Sequence, residues 1–169
     1  KILAPDVISV ANNHCMDQGG ISMTNTVDLL AKENINPIGY GFSHRNSNDV
    51  VTLEKNGIRI SIVACAEKEF NTFENEEIGA VPYHDYWTNK KITDTKKECD
   101  VLIVLYHGGT EYFTYVPPYL RERCHLMAEN GADYIFCQHS HCIGCHEEYN
   151  NSTIIYGQGN FIFHQRNNL

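Results

Sequence analysis

Apolar residues in this chain fall in short runs that switch between two periods. Asp6-Val7-Ile8-Ser9-Val10 reads as a brief buried strand. A polar turn, Ala11-Asn12-Asn13-His14, then leads through Gly19-Gly20 into a helix with Met23, Val27 and Leu30 on one face. Pro37 forbids the continuation of that helix, because it has no N–H to donate and clashes with the preceding turn. From Val50 to Ala66 the pattern is a hairpin: Asn56-Gly57 is the type I′ turn signal, and Ile58, Ile60, Ile62 and Ala64 alternate behind it. The polar and aromatic stretch from Glu67 to Asp85 predicts an ordered loop, and a helix is expected over Asn89 to Cys99.

Val101 to Tyr106 is apolar without alternation, which predicts an interior strand covered on both faces. Pro117-Pro118 opens a helix with Leu120, Cys124, Met127 and Ala128 on one side, closed by Gly131. Ala132 to Cys137 is the next strand, and a last antiparallel pair turns at Asn150-Asn151 and returns through Thr153 to Tyr156. Strand–helix–strand order with added hairpins predicts a mixed α/β fold with helices outside packed sheets. The chain carries no internal repeat, low-complexity tract or linker, so one domain is expected.

Composition narrows the class. The chain has 169 residues, 42% hydrophobic and 20% charged, enough for one domain with a core. Its formal net charge of -8 argues against nucleic acid and against an anionic membrane surface as partners. No stretch approaches the roughly 20 apolar residues that span a bilayer. The seven cysteines are an odd count in a long chain, which leans towards a reducing, cytoplasmic compartment rather than a disulfide framework. Asn150 and Asn151 both match the glycosylation sequon, a motif common by chance. The absence of an initiator Met before Lys1 reads as a fragment truncated at its N-terminus.

Three polar clusters fall where strands stop: Asn12-Asn13-His14, His107-Gly108-Gly109 and Gln138-His139-Ser140-His141. In α/β sheets ligands bind outside the carboxyl ends of strands, so the repeated placement is informative. Neutral imidazole is the commonest nitrogen ligand for divalent cations, and an Asn carbonyl oxygen adds a harder donor. If extended, His139 and His141 would point the same way and could serve one ion or two neighbouring ions. A lone histidine at a strand end is more often a satisfied polar residue; the three clusters together favour a metal.

Those clusters carry a family resemblance. Asn12-Asn13-His14-x-x-Asp17-x-Gly19 resembles the ANNHxxDxG signature of CapA-type bacterial capsule (poly-γ-glutamate) synthesis proteins. Ile103 to Tyr112 resembles IVxxHWGxEY, Gly131-Ala132-Asp133 with Cys137 to His141 resembles GAD…GHHPH, and Tyr156 to Phe163 resembles YSLGNFxF. The family is similar in turn to calcineurin-like metallophosphatases. The resemblance implies a layered sandwich with helices outside mixed sheets, residues 1–169 forming a single partial domain that lacks its N-terminal strands. It implies Asn13, His107 and His139 as ligands of one divalent metal, His141 as a ligand of a second, and Mn, Zn or Fe as the ions. It further implies His14 as proton donor to the leaving group and Asp17 as the residue that orients it, although Asp17 could also cap the helix after Gly19-Gly20. The partner implied is a capsule polymer or phosphoester substrate, with a membrane-anchored or cell-surface location in bacteria.

This chain departs from the pattern in three places. Gly108 stands where the family has Trp, removing a large wall from the cleft, and Cys137-Gln138 replaces Gly-His. The family's GD and NLE-like motifs, whose carboxylates complete the site, do not occur. Two rival readings stand beside the metallophosphatase one. In the first, Cys142-x-x-Cys145-His146 with Cys137, His139 and His141 forms a structural zinc site. In the second, the domain binds or positions polymer in capsule export without catalysis. Trp87, Tyr83, Tyr86, Phe70 and Phe73 either line a substrate cleft or cover the core. Arg121 and Arg123 are expected on a solvated helix face, and Glu74, Glu76 and Glu77 in a solvated loop.

Overall fold

A computed structural model describes residues 4–68, 71–73 and 77–161. Of the sequence expectations, those on Phe70, Glu74, Glu76, Ile162 and Phe163 lie outside the described residues. The elements run β1 (Val7–Ser9), α1 (Gly20–Lys32), β2 (Asn36–Ile38), β3 (Tyr40–Ser43), β4 (Asn46–Asn48), β5 (Val50–Lys55), β6 (Ile58–Ala66) and β7 (Gly79–Ala80). They continue with α2 (Asp85–Lys96), β8 (Val101–His107), α3 (Pro118–Glu129), β9 (Tyr134–Gln138), β10 (His146–Tyr149) and β11 (Ser152–Ile155).

A six-stranded sheet in the order β10-β11-β9-β8-β6-β5 forms the centre. Its inner strands β11, β9, β8 and β6 are parallel, and antiparallel β10 and β5 edge them. Parallel β8 needs neighbours on both sides, and it has them in β6 and β9. The β5–β6 hairpin turns at Asn56 (φ 54°) and Gly57 (φ 77°), and the β10–β11 hairpin at Asn150 (φ 50°) and Asn151 (φ 62°). Paired positive φ values are what a type I′ turn requires, and Asn and Gly adopt them at least cost.

One face of the sheet is fully covered. Leu102, Val104, Tyr106, Ile135, Cys137, Ile154, Val63 and Cys65 pack with Leu120, Cys124 and Met127 of α3 and Ile92 of α2. The opposite face carries a smaller core of Ala11, Ile38, Ala64, Ala66 and Ala80, against which Ile62 and Leu105 pack. Coverage there is partial: Val101, Ile103, Leu105 and Phe136 stay half-buried and Tyr134 is 41% exposed. The expectation that both faces of β8 are covered is therefore met on the helical face and only partly on the other.

Local differences from the sequence reading have local causes. The helix predicted over Asn89 to Cys99 begins instead at Asp85, because the His84 side chain accepts from the backbone N–H groups of Tyr86 and Trp87. Histidine is not among the usual N-cap residues, so this start is unmarked in the sequence. α1 ends at Lys32, well before Pro37, with Asn34 at φ 60°, and Pro37 lies inside β2. The strands β2, β3, β4 and β7 are too short and too polar to show a period. Arg123 does not lie on a solvated face. It reaches inward to Glu67 Oε1 (2.7 Å) and to the Tyr106 hydroxyl (2.9 Å), while Arg121 is exposed.

Candidate metal cleft

Strand register places the site. Ala66, His107 and Gln138 are paired across β6, β8 and β9, so these three parallel strands end level with one another. The residues that leave the sheet together are Glu67, Gly108 and His139. The Asn12–His14 loop arrives from β1, and its approach depends on small residues. Gly39 has φ 89°, and a Cβ there would come within 2.6 Å of Ala11 Cβ and 3.1 Å of Ala64 Cβ. With glycine at 39, Ala11 reaches the large sheet and Asn13 follows it to the strand ends.

Asn13 is buried, and His107 Nε2 donates to its Oδ1 at 3.0 Å. The His107 and His139 rings lie 5.0 Å apart between centroids, tilted by 60°. Burial, and then the neighbouring His139, His14 and His141, push His107 down to about 4. At neutral pH the ring is therefore uncharged, the form in which imidazole coordinates a cation. His139 has only 7% of its side chain exposed, and its Nε2 lies 3.9 Å from Glu111 Oε1.

His14 is exposed at the rim, and its Nδ1 donates to Asp17 Oδ2 at 2.8 Å. Asn71 ties the loop down: its side-chain amide donates to the Asn13 backbone carbonyl and to Asp17 Oδ1 (3.1 Å). Asp17 does not cap α1. Gly19 is the N-cap residue, no side chain caps that helix, and the Asp17 carboxylate is engaged by His14 and Asn71.

Past β9 the chain is not extended. His139 has φ 113° and His141 φ 57°, so the two side chains diverge. His141 Nδ1 donates to Asn160 Oδ1 (2.7 Å), and its ring stacks on Tyr112 at 5.4 Å. A non-glycine residue at φ 113° costs on the order of 1–3 kcal/mol, a strain typical of functional loops. Asn13, His14, His107, His139 and His141 all line one open cleft of about 940 Å³, while Asp17 stands behind His14.

Two imidazoles and an amide oxygen suit a borderline divalent cation, so the donor types around Asn13, His107 and His139 fit a metal. They do not complete a sphere. Among the described residues no three His, Cys, Asp or Glu side chains gather as a ready-made ion site. The proposed zinc set disperses. Cys137 is wholly buried with its thiol 3.6 Å from Cys124, and that contact together with burial keeps it protonated. His146 pairs with Glu148, Cys145 is exposed, and His139 and His141 face elsewhere.

Gly108 removes no wall from the cleft. A Cβ there would meet Glu67 Cβ and Tyr106 Cε1 at 2.7 Å, so the position faces the interior. The aromatic group of residues 73–87 does not line the histidine cleft. Tyr83 packs in the core against Tyr106 (5.7 Å), Phe73 lies against the same core, Tyr86 is exposed, and Trp87 walls a separate cavity. Glu77 is exposed as expected.

Four residues that hold the site had no assigned role from sequence. Glu67 accepts from Gly109 N–H (2.9 Å) and its own N–H donates to the His107 carbonyl (2.7 Å), so it grips both sides of Gly108. It is a polar residue directly after an apolar strand, the signal that marked the other clusters. Asn160 lies in a quoted family motif. Glu111 lies in another, the segment from Ile103 to Tyr112, and Asn71 carries no local sign.

Comparison with known proteins agrees with this architecture. The family described as bacterial capsule synthesis protein PGA_cap matches residues 1–165. The chain is 32% identical over 163 residues to the PGA biosynthesis protein CapA of Bacillus subtilis (strain 168), covering 94% of this chain and 43% of that protein. It is 26% identical over 165 residues to the capsule biosynthesis protein CapA of Bacillus anthracis, covering 94% and 40%. The chain thus spans less than half the length of these relatives. A solved phosphatase from Mycoplasma pneumoniae superposes with a TM-score of 0.61 at 17% identity, over 91% of this chain and 50% of that one. At that identity the likeness establishes the fold, which is metallophosphatase-like.

Proposed function

This chain belongs to the bacterial capsule synthesis protein PGA_cap family, and on that premise we propose that its histidine cleft holds divalent metal and acts on a phosphoester or on the capsule polymer, poly-γ-glutamate. The observation that carries this reading is the meeting of Asn13, His107 and His139 beside the His14–Asp17 pair in one cleft. Asn13 Oδ1 and the His107 and His139 imidazoles would hold the first of two ions, His141 would face the second, and Mn, Zn or Fe matches the donors. Such ions, when bound, draw charge from a phosphoryl oxygen and lower the pKa of bound water towards ~7. Carboxylate ligands would come from beyond these residues.

His14 acts on protons rather than on the ion. Asp17 takes the Nδ1 hydrogen, which fixes the tautomer and leaves Nε2 to exchange a proton with a departing oxygen. Asn71 holds the Asp17 carboxylate and the Asn13 carbonyl together, so ligand and acid keep their spacing.

The test is metal content measured alongside hydrolysis of an aryl phosphate and of a γ-glutamyl polymer, on the full-length gene product. His14→Ala is expected to keep its metal and to lose turnover by about 10²–10⁴-fold. His139→Ala is expected to lose both. A second reading, non-catalytic polymer binding, draws on the exposed Tyr112, Phe113 and Tyr115: Tyr112 stacks on His141, and Phe113 and Tyr115, which follow it in the chain, meet edge-on at 5.9 Å. It takes over if wild type with Mn²⁺ or Zn²⁺ turns over neither substrate yet binds the polymer equally well after His14→Ala.

A further inference from the structure

A second cavity of about 390 Å³ lies between the β3–β4 turn, the N-terminal half of α2 and the later residues of β6. It shares no lining residue with the histidine cleft. Its floor is apolar, with Val63 and Val81 almost inaccessible. Trp87 forms a wall. The His44 ring lies nearly parallel to the indole, with centroids 5.9 Å apart and planes 13° apart, and the Arg45 guanidinium sits 5.6 Å from the indole centroid.

The charges around this cavity do not cancel. Lys91 Nζ is 3.0 Å from Asp49 Oδ1, a carboxylate only 10% exposed, and Lys90 Nζ is 2.6 Å from Asp94 Oδ2. Among the described residues Arg45 has no carboxylate partner and meets only the indole face. Among the described lining residues three cations stand against two carboxylates, and one of those, Asp94, is also held by Lys97 at 2.9 Å, so the mouth is net positive in a chain whose formal charge is -8. His44 adds no second charge, because burial first and His84 next hold it below the ordinary imidazole range. It presents a flat neutral ring instead.

We infer that this cavity is a binding site for a small monoanion with a flat apolar body, of the aryl carboxylate or aryl sulfonate class. The volume falls within the range of small-molecule pockets, and the composition matches theirs: an apolar floor with a few directed polar groups. The ring system lies on the floor beside Trp87 and His44, and the anionic group meets Arg45 at the mouth. Arg45 suits this role because its guanidinium is planar, always charged and weakly hydrated, so the anion desolvates it at low cost. The Lys91–Asp49 pair and the Asp94 carboxylate, shared by Lys90 and Lys97, frame the opening.

Trp87 is the single tryptophan of the chain, so its fluorescence reports on this cavity directly. Titration of the full chain with anilinonaphthalene sulfonate should quench Trp87 emission saturably, with energy transfer to the probe. Arg45 is exposed and its charged group meets the Trp87 ring, so its substitution is expected to leave the fold intact. Arg45→Gln should weaken the apparent Kd by about threefold and Arg45→Glu by about tenfold or more, since a like charge then faces the anion. Benzoate should displace the probe, and benzyl alcohol, its uncharged counterpart, should not. The inference is overturned by an absence of saturable quenching. It is equally overturned by a Kd in Arg45→Glu within about twofold of wild type at an unchanged circular dichroism spectrum, or by equal displacement with benzoate and benzyl alcohol.

Discussion

His107 Nε2 lies 3.0 Å from Asn13 Oδ1, a contact between residues 94 positions apart. It joins the end of β8 to the loop after β1. Replacing Asn13 with Ala removes the oxygen partner while leaving His107 buried and without that hydrogen bond. Affinity for Mn²⁺ or Zn²⁺, measured by titration calorimetry, should fall by at least about tenfold, the smaller end of what even indirect supports of a metal ligand contribute. Unchanged affinity would remove Asn13 from the ligand set.

Glu67 offers a test of how the strand ends are held. Its carboxylate, 16% exposed, accepts from Arg123 Nη1 at 2.7 Å and from Gly109 N–H at 2.9 Å. Glu67→Ala strands the guanidinium and frees the 107–109 loop, and should cost about 2–4 kcal/mol in urea unfolding. Glu67→Gln, which keeps one acceptor oxygen but turns an amide NH2 towards the second donor, should recover only part of that loss. Equal unfolding midpoints for wild type and Glu67→Ala would show that the clamp contributes nothing.

Gly108 should be intolerant of a side chain in this chain. A Cβ would sit 2.7 Å from both Glu67 Cβ and Tyr106 Cε1, and Tyr106 is fully buried. Gly108→Ala is expected to destabilise by about 1–3 kcal/mol, as overpacking of a filled interior does. A thermal melt of Gly108→Ala at or above the wild-type midpoint would contradict this geometry.

Acid should loosen the attachment of α3 to the β10–β11 hairpin. Glu147 accepts from the Tyr156 hydroxyl (2.7 Å) and sits 3.2 Å from His125 Nε2; its carboxyl is held below the ordinary range chiefly by the Tyr156 hydrogen bond, with His125 assisting. A depressed carboxylate contributes stability that is present above its unfolded value, near 4.5, and is lost as pH falls through the folded value. The loss on acidification below about pH 4.5 should therefore be shallower in Glu147→Gln than in wild type, followed by the denaturant midpoint against pH. Parallel curves for the two proteins would exclude Glu147 as a contributor.

Much of the fold was legible in the chain because its signals are local. The Asn56-Gly57 and Asn150-Asn151 turns, the Pro117-Pro118 start of α3 and the apolar run of β8 each depend on conformations that a few neighbouring residues decide. The polar residues at strand ends were legible for the same reason, since an apolar run that stops on His107 or Gln138 shows where the strand stops. What the sequence by itself determined was therefore the α/β class, the central strand and the list of residues from which the cleft is built.

Only the tertiary structure decided how those residues face one another. Extended spacing suggested that His139 and His141 act side by side, but backbone angles of 113° and 57° turn them apart towards His107 and Asn160. Arg123 looked solvated on its helix, yet the carboxylate that captures it comes from the end of β6, 56 residues away. Gly108 read as a gap in the cleft until the packing of Tyr106 and Glu67 showed which way its missing side chain would point. Each of these outcomes rests on a partner distant in sequence, and no window of neighbouring residues holds both halves of such a contact. Register between β6, β8 and β9, together with the close approach at Gly39, brings those halves together.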